Sequence, residues 1–283
     1  MLRTLYRFLS PRWQNLFLDY PVKLKPRRTP EQQGWQPVEA VIEANRTEIE
    51  VWVDAMAARA TVLHAIRPEG SEPDGAMPRW NNGFLPGLDM AALHTVLAEC
   101  KPKRYVEVGS GNSTKLAAWT ARTEGFPCEI TSIDPFPRAE VDALVDRAVR
   151  KPFEEVEPDV WSTLEAGDVL FVDNSHRALP NSDVTALFME VLPSLPEGVI
   201  VHIHDVYLPW DYPQDMCERG YSEQYLLAVA VASAPQRYRP ILPAFWVSEQ
   251  PHCAQRLAGI WNHPHTATVE RHGGSFWMEL GPR

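Results

Sequence analysis

The chain has 283 residues, of which 45% are hydrophobic, so it is long enough to bury one large core together with a smaller appendage. Its net charge of −10 disfavours nucleic acid as the partner, and four widely spaced cysteines without a CxxC pair indicate neither a zinc site nor a disulfide framework. The cysteine pattern fits a reducing cytoplasm, which is the location we predict.

The first thirty residues differ in charge from the rest of the chain. They hold seven basic residues against one acidic residue, a net +6, which leaves −16 on the remainder of a chain whose total is −10. In the segment MLRTLYRFLSPRW, Arg7 interrupts the apolar run and no small-residue cleavage site follows, which disfavours a secretory signal. Two interpretations stay open: a helix docked on its own protein or on a dimer mate, and peripheral contact with anionic lipid.

A helical region comes next. Apolar residues recur at helical spacing from Pro37 to Ile66, which predicts one long amphipathic helix. The stretch RPEGSEPDGAMPRWNNGFLPG is a loop by composition, and Asp89 is the predicted cap of a second helix that runs to about Cys100. We assign residues 1–88 to an N-terminal helical extension that serves as a lid or a dimerisation segment, and residues 89–283 to the main domain.

From residue 104 onward, strand and helix patterns alternate. The segments RYVEVG, CEITSID, GDVLFVD and GVIVHIHD are continuous apolar runs typical of buried parallel strands, and STKLAAWTARTEG, RAEVDALVDRAV and NSDVTALFMEVL are predicted helices. A helix within residues 222–234, a strand near 241–247 and a terminal strand SFWMEL follow. The pattern predicts an α/β doubly wound sheet with helices on both faces, whose last strand is inserted antiparallel.

The first strand of this sheet leads into the turn VGSGNST. Such folds bind ligands outside the carboxyl ends of their strands, and Gly109 and Gly111 allow a sharp turn and the close approach of a ligand. Asn112 or Ser113 is the predicted cap of the next helix. Asp134 ends the second strand at about the offset where an acidic side chain accepts both hydroxyls of a ribose, so we predict a nucleoside-containing ligand.

Charge separates the candidate nucleosides. A dinucleotide would meet repulsion from Glu107 and would find Thr114 where its motif has a third glycine. The ammonium of S-adenosylmethionine can pair with Glu107, its carboxylate can lie at the helix N-terminus, and its ribose can meet Asp134. The predicted cofactor is therefore S-adenosylmethionine, with S-adenosylhomocysteine as product.

Four motifs in register carry a family resemblance: VEVGSGNST, SIDPFPR, GDVLFVDNSH and GVIVHIHDVYLP. In this order they resemble the bacterial class I S-adenosylmethionine-dependent methyltransferases of the Methyltransf_24 kind, from roughly Trp80 to the C-terminus. The resemblance implies a Rossmann-like sheet of seven strands and makes residues 89–283 the cofactor-binding domain. The predicted cofactor-binding residues are Glu107, Gly109, Ser110, Gly111, Asn112, Ser113, Asp134 and Asp173.

The chemistry is expected at the ends of two neighbouring strands. In one interpretation His176 is a general base, Asp173 orients it or the substrate, and Asp205 lies beside them. In a second interpretation, the site resembles that of catechol-type and macrolide-sugar O-methyltransferases, with a divalent ion bound by Asp173, His204 and Asp205. His204 stands where those enzymes usually have a carboxylate, which disfavours magnesium and favours a softer metal. In a third, these residues only cap strand ends. We predict that His202 belongs to the core.

Two irregular segments, MPRWNNGF and VYLPWDYPQDMCERGY, combine aromatic and polar side chains that suit a sugar or a polar aromatic ring. The predicted substrate-binding residues are Trp80, Asn81, Asn82, Tyr207, Trp210 and Tyr212. The resemblance implies methylation of a hydroxyl on a sugar, glycan or natural-product-like small molecule. The alternatives are a non-catalytic protein that binds S-adenosylmethionine or S-adenosylhomocysteine, and an NAD-dependent oxidoreductase. A homodimer also fits the N-terminal segment and the long helix.

Overall fold

A computed structural model describes residues 6, 8–11, 14–68, 70, 75–137 and 141–283. Arg3, Arg7 and Arg12 of the basic segment lie outside the described residues. Within the described residues, no helix is both long and apolar enough to span a membrane.

The centre of the molecule is a seven-stranded sheet. Its strands are β3 (Arg104–Val108), β4 (Glu129–Ile133), β5 (Arg147–Val149), β6 (Val169–Val172), β7 (Ile200–His204), β8 (Tyr238–Pro243) and β9 (Ser275–Leu280). They are ordered β5-β4-β3-β6-β7-β9-β8, and only β9 runs antiparallel, to both β7 and β8. The predicted α/β doubly wound sheet with an antiparallel inserted last strand is confirmed. Two short parallel strands, β1 (Arg67–Pro68) and β2 (Arg79–Trp80), form a separate pair.

The helices fill the connections between the strands. They are α1 (Gln36–Ala44), α2 (Arg46–Ala58), α3 (Ala60–Leu63), α4 (Gly87–Cys100), α5 (Asn112–Glu124), α6 (Asp183–Ala186, continued by the π-helical Leu187–Val191 and the α-helical Leu192–Ser194), α7 (Gln214–Glu218), α8 (Glu223–Ser233), α9 (Ala244–Ser248), α10 (Pro251–Arg256) and α11 (Ala258–Trp261). Strand β6 is buried along its whole length, as expected for a central parallel strand with both faces covered.

The N-terminal helical region differs from its prediction. The expected single helix is three helices, α1 to α3, that break at Asn45 and Arg59. The Asn45 side chain donates to the carbonyl oxygen of Val41, a local hydrogen bond that competes with helix continuation. The apolar side chains of these helices still join the same core as the sheet, and the predicted boundary at residue 88 falls within α4.

Three other predicted elements are corrected. Part of the helix predicted over RAEVDALVDRAV is a 3₁₀ turn at Asp142–Leu144 followed by strand β5, because pairing with β4 overrides the local helical spacing; residues 138–140 lie outside the description. The strand predicted near 241–247 ends at Pro243, where α9 follows. Asp89 is buried inside α4 and accepts hydrogen bonds from the backbone of Gly274 and the hydroxyl of Ser275, so it is not a helix cap.

The register of the sheet brings the functional segments together. Val108 at the end of β3 lies opposite Ile133 of β4 and Val172 of β6, and Val172 lies opposite Ile203 of β7. The turns that follow these four parallel strands therefore meet at one edge of the sheet.

Candidate cofactor and substrate site

The turn after β3 is held between the ends of its two neighbours. Gly109 donates its backbone N–H to the carbonyl oxygen of Ile133 at 2.9 Å, and Asp173 donates its own to the carbonyl oxygen of Val108 at 2.8 Å. Gly109 has φ +82°, and a Cβ there would lie 2.0 Å from the carbonyl oxygen of Asp173. Only glycine fits this position, because the backbone is left-handed and a second backbone touches it.

Asp134 braces the turn from the end of β4. One carboxylate oxygen accepts the backbone N–H of Ser110 at 2.9 Å and the other accepts that of Phe136 at 2.8 Å. The hydroxyls of Ser110 and Ser132 lie 2.5 Å apart below it. The carboxylate is half-buried, and it faces a crevice rather than the core. This position agrees with the predicted contact to a ligand.

The crevice has a volume of about 300 Å³ and opens beside the turn. Its charged lining residues are all acidic: Asp134, Glu154, Asp173 and Asp183. Phe136 forms part of the wall and leaves 86% of its side chain exposed. The cavity therefore offers negative charge together with an uncovered aromatic face.

A smaller pocket of about 90 Å³ adjoins the crevice. Its lining residues are Phe84, Leu85, Ser110, Gly111, Asn112, Ser113 and Asp173. The first turn of α5 thus forms one wall, and the backbone of that turn supplies N–H groups that favour an anion. Ser110 and Asp173 line both cavities, so a single elongated ligand can extend from one into the other.

The start of α5 differs in detail from its prediction. The helix begins directly after Gly111, and Asn112 and Ser113 occupy its first turn without a side-chain cap hydrogen bond. Instead, the hydroxyl of Thr114 accepts the backbone N–H of Gly111 at 3.1 Å and donates to Glu107.

Glu107 lies beneath the turn and has no exposed surface. Its oxygens accept hydrogen bonds from the hydroxyls of Tyr105, at 3.1 Å, and Thr114. Burial raises the pKa of Glu107 to about 7, against hydrogen bonds from Ser113, Thr114 and Tyr105 that favour the carboxylate. A direct grip on a ligand ammonium, predicted from the sequence, is not what this geometry offers. Glu107 supports the turn from below, and Asp173 is the carboxylate that borders both cavities.

The residues predicted for catalysis converge at the ends of β6 and β7. His176 Nε2 lies 3.2 Å from Asp173 Oδ1 and 3.3 Å from Asp205 Oδ2, and His176 Nδ1 lies 3.1 Å from Glu223 Oε2. Both His176 and Asp205 have left-handed backbone conformations, with φ of +60° and +52°. Left-handed backbone conformations are strained in residues other than glycine, and they occur most often at functional sites. Asn174 donates to the second oxygen of Glu223 at 2.9 Å, which fixes that buried carboxylate.

The surroundings of His176, which is the predicted general base, favour its protonated form. Burial opposes protonation of the ring, but hydrogen bonds to Asp173 and Glu223 outweigh burial and raise its pKa to about 10. These surroundings favour the imidazolium, a form that has no lone pair with which to remove a proton. It neutralises and spaces the two partly exposed carboxylates of Asp173 and Asp205.

The same geometry does not fit the metal alternative. Among the described residues, no group of three or more His, Cys, Asp or Glu side chains is arranged so that it could hold a metal ion. His204 points Nε2 toward the carbonyl oxygen of Phe84, at 3.3 Å, and lies 4.0 Å from Asp205 Oδ1, while the ring of His176 occupies the space between Asp173 and Asp205. We therefore derive no step through a metal ion.

His202 is buried in β7, two residues before His204. Its ring stacks on Phe171 at 3.8 Å and packs against Trp277, and burial lowers its pKa well below the usual value. The prediction that His202 belongs to the core is confirmed.

The residues predicted to bind substrate differ in how far they are exposed. They are Trp80, Asn81, Asn82, Tyr207, Trp210 and Tyr212, and their aromatic members are all buried. Trp80 and Tyr212 have no exposed surface, so neither reaches a ligand in this conformation. Asn82 accepts the backbone N–H groups of Phe84 and Leu85, and thereby shapes the loop that walls the smaller pocket.

Sequence reasoning missed Glu223, Phe136 and Phe84. Glu223 is separated from His176 by 47 residues, and only the fold shows that the first turn of α8 reaches this site. For Phe136 a signal existed, since a large apolar residue two positions after a strand-ending aspartate stands next to the predicted ligand.

Comparison with known proteins finds a family match over the segment that holds the candidate site. Residues 106–206 match the model of the family Methyltransf_24, described as a methyltransferase domain, and the matched segment contains the turn after β3, Asp134, Asp173, His176 and Asp205. The predicted resemblance to the Methyltransf_24 methyltransferases is confirmed over these residues. No curated protein has a sequence that matches this chain.

Solved structures show distant likenesses. An SAH-bound methyltransferase of Podospora anserina is 17% identical, with a TM-score of 0.41, over 81% of this chain and 88% of that one. A branched-chain polyamine synthase of Thermus thermophilus is 14% identical, with a TM-score of 0.39, over 80% of this chain and 63% of that one. At these identities and scores, neither likeness bears on substrate or mechanism.

Proposed function

We propose that this chain is an S-adenosylmethionine-dependent methyltransferase that acts on a hydroxyl group. The premise is the match of residues 106–206 to the methyltransferase domain of the Methyltransf_24 family. The observation that carries the proposal is the pair of adjoining cavities that share Asp173 and Ser110, lined on the larger side by acidic residues. S-adenosylmethionine consists of a nucleoside and an amino-acid tail joined by a cationic sulfonium. The shape and the charge of the two cavities suit that arrangement.

Each part of the cofactor has residues suited to hold it. Asp134 would accept the ribose hydroxyls, and the exposed ring of Phe136 would cover the base. The backbone at the start of α5 would take the tail carboxylate, and Asp173 would face the positive charges. A dinucleotide fits poorly, because its diphosphate would lie among carboxylates without a basic residue in the lining.

The acceptor side is built from Asp173, Asp205 and the imidazolium between them. When bound, S-adenosylmethionine supplies an electrophilic methyl group. Asp205 uses Oδ2 to contact His176, at 3.3 Å, whereas its Oδ1 lies 4.0 Å from Nε2 of His204. This oxygen is the one best placed to accept the proton of a substrate hydroxyl, and His176 keeps the two carboxylates at a fixed separation. We infer a sugar, a glycan or a natural-product-like molecule as acceptor, in line with the family resemblance.

Binding is tested by thermal shift with S-adenosylhomocysteine and, separately, with NAD. A ligand that binds only the folded state raises the melting temperature, so S-adenosylhomocysteine alone should do so. Stabilisation by NAD alone would overturn the cofactor assignment and favour an oxidoreductase.

Catalysis is tested by transfer of a labelled methyl group from S-adenosylmethionine to a panel of hydroxylated acceptors. Asp205→Asn should lower the rate by about 10²–10⁴-fold, the usual contribution of a general base, and leave S-adenosylhomocysteine binding intact. Asp215→Asn, an exposed carboxylate on α7, is the matched control and should behave as wild type. Cofactor binding without transfer to any acceptor in the panel would identify a non-catalytic binding protein instead.

A further inference from the structure

The N-terminal arm, defined as residues 6–28 without the undescribed positions 7, 12 and 13, leaves its large apolar side chains uncovered. Monomeric soluble proteins rarely leave such a concentration of apolar surface without a binding function. Phe17 and Tyr20 expose 78% and 80% of their side chains. The full set of exposed large apolar residues in the arm is Tyr6, Phe8, Leu9, Leu16, Phe17, Leu18, Tyr20, Val22 and Leu24.

The root of the arm is fixed to the body. The backbone N–H groups of Arg27 and Arg28 donate to Asp211 Oδ2 at 2.7 and 3.0 Å, and the backbone N–H of Asp211 donates to the carbonyl oxygen of Arg28. Gln214 donates its side-chain amide to the carbonyl oxygen of Leu24 at 3.0 Å. These contacts lie on the segment that follows Asp205, so the arm leaves the body from the loops on the side of the candidate site.

The arm also differs from the body in the sign of its net charge. Lys23, Lys25, Arg27 and Arg28 lie in its described part, and the sequence of the first thirty residues has a net charge of +6 against −16 for the rest. The acidic body would be repelled by an anionic surface, whereas the arm would be attracted to it. Apolar and aromatic side chains interspersed with basic ones are typical of segments that lie in the interface of an anionic bilayer.

From these observations we propose that the N-terminal arm docks the protein on an anionic lipid surface. The aromatic and aliphatic side chains enter the boundary between headgroups and acyl chains, and the lysines and arginines pair with lipid phosphates. Since its root is fixed beside the loop after β7, docking holds the candidate site close to the lipid surface. The inference does not depend on the proposed function, because it concerns a different part of the chain.

A second copy of the chain is a poorer occupant of this surface. Among the described residues, the large exposed apolar side chains outside the arm are Val51, Phe84, Phe136, Met189, Tyr225 and Val229. They belong to different elements of the body, and only Tyr225 and Val229 share a helix. Pairing two arms would join apolar surfaces but would also place like charges together.

The test is co-sedimentation of the full chain with vesicles of phosphatidylglycerol mixed with phosphatidylcholine, compared with vesicles of phosphatidylcholine alone. We expect binding to the anionic vesicles, weakened as salt screens the charges, and at least about tenfold weaker binding to neutral vesicles. The double variant Phe17→Ser with Tyr20→Ser should lose about tenfold in vesicle binding, because two apolar side chains no longer enter the interface.

Two body variants serve as matched controls. Met189→Ser removes an apolar side chain that is 75% exposed outside the arm, and Lys103→Gln removes an exposed lysine outside it; neither should change vesicle binding. Lys23→Gln combined with Lys25→Gln should weaken binding to anionic vesicles about tenfold. Thermal melts should coincide for all variants, since none of these side chains is buried.

Two results would overturn the proposal. One is wild-type protein that fails to sediment with anionic vesicles. The other is a dimer in sedimentation equilibrium that Phe17→Ser with Tyr20→Ser dissociates, which would identify a second copy as the occupant of the arm.

Discussion

Replacing Asp134 by alanine is the most informative change in the cofactor site. The carboxylate accepts two backbone N–H groups, from Ser110 and Phe136, and it faces the crevice in which the ribose is proposed to lie. Losing one charge-assisted hydrogen bond to the ligand costs about 1.5–3 kcal/mol, which corresponds to binding weakened by about 10- to 150-fold. Phe136 stands at the exposed rim, so water can replace its lost partner, whereas the N–H of the buried Ser110 loses its acceptor and should cost about 1–3 kcal/mol of folding stability.

Isothermal titration calorimetry with S-adenosylhomocysteine measures this loss without turnover. Asp134→Asn keeps one acceptor oxygen but no charge, and its affinity should fall between those of wild type and Asp134→Ala. The matched control is Asp146→Ala, because Asp146 also accepts a backbone N–H, from Ile130 at 2.8 Å, but lies outside the crevice. Unchanged affinity in Asp134→Ala, or an equal loss in Asp146→Ala, would refute the placement of the ribose.

The remaining predictions concern stability. Gly109→Ala should lower the free energy of unfolding in urea by at least about 2 kcal/mol, because Gly109 has φ +82° and a Cβ there would lie 2.0 Å from the carbonyl oxygen of Asp173. Gly111→Ala is the control and should be near neutral, because a Cβ there meets open space. Equal effects of the two substitutions would contradict this description of the turn. Glu107→Gln should become more stable than wild type by about 3 kcal/mol in free energy of unfolding as the pH rises from 4.5 to above 7. Burial raises the pKa of Glu107 to about 7 in the folded protein, so the wild type loses stability over this range while the variant does not. A difference between the two proteins that does not change with pH would refute this. His94→Gln should show the opposite pH trend and become more stable than wild type by about 3 kcal/mol in free energy of unfolding as the pH falls from 6.5 to 4. Burial lowers the pKa of His94 to about 4 in the folded protein, so the wild type loses stability over this range. Urea unfolding at a series of pH values measures both trends.

The cofactor half of the site could be predicted from the sequence because its residues directly follow apolar strands. Once β3, β4 and β6 are identified, the parallel register places Gly109, Asp134 and Asp173 at one edge of the sheet. The burial of Glu107 could not be predicted in the same way. Whether a strand-end carboxylate faces a ligand or the hydroxyls beneath a turn depends on how the following helix packs, and here Thr114 covers it.

The acceptor half depends on contacts between distant segments. Glu223 reaches His176 from α8 and favours its protonated form, and no local sequence pattern predicts that contact. The aromatic residues of the loops, such as Tyr212, were ambiguous for a similar reason, since one composition suits both a binding surface and a packed loop. In the N-terminal region, the spacing of apolar residues marks the buried face correctly but does not reveal the breaks at Asn45 and Arg59.

The most direct test of the proposed cofactor site is a crystal structure of the protein with S-adenosylhomocysteine. We predict its ribose hydroxyls on the carboxylate of Asp134, its amino-acid tail in the pocket between Phe84 and the first turn of α5, and its sulfur beside Asp173. A ligand bound elsewhere while the turn at Gly109 stays empty, or a diphosphate-containing nucleotide seated on that turn, would contradict the proposal.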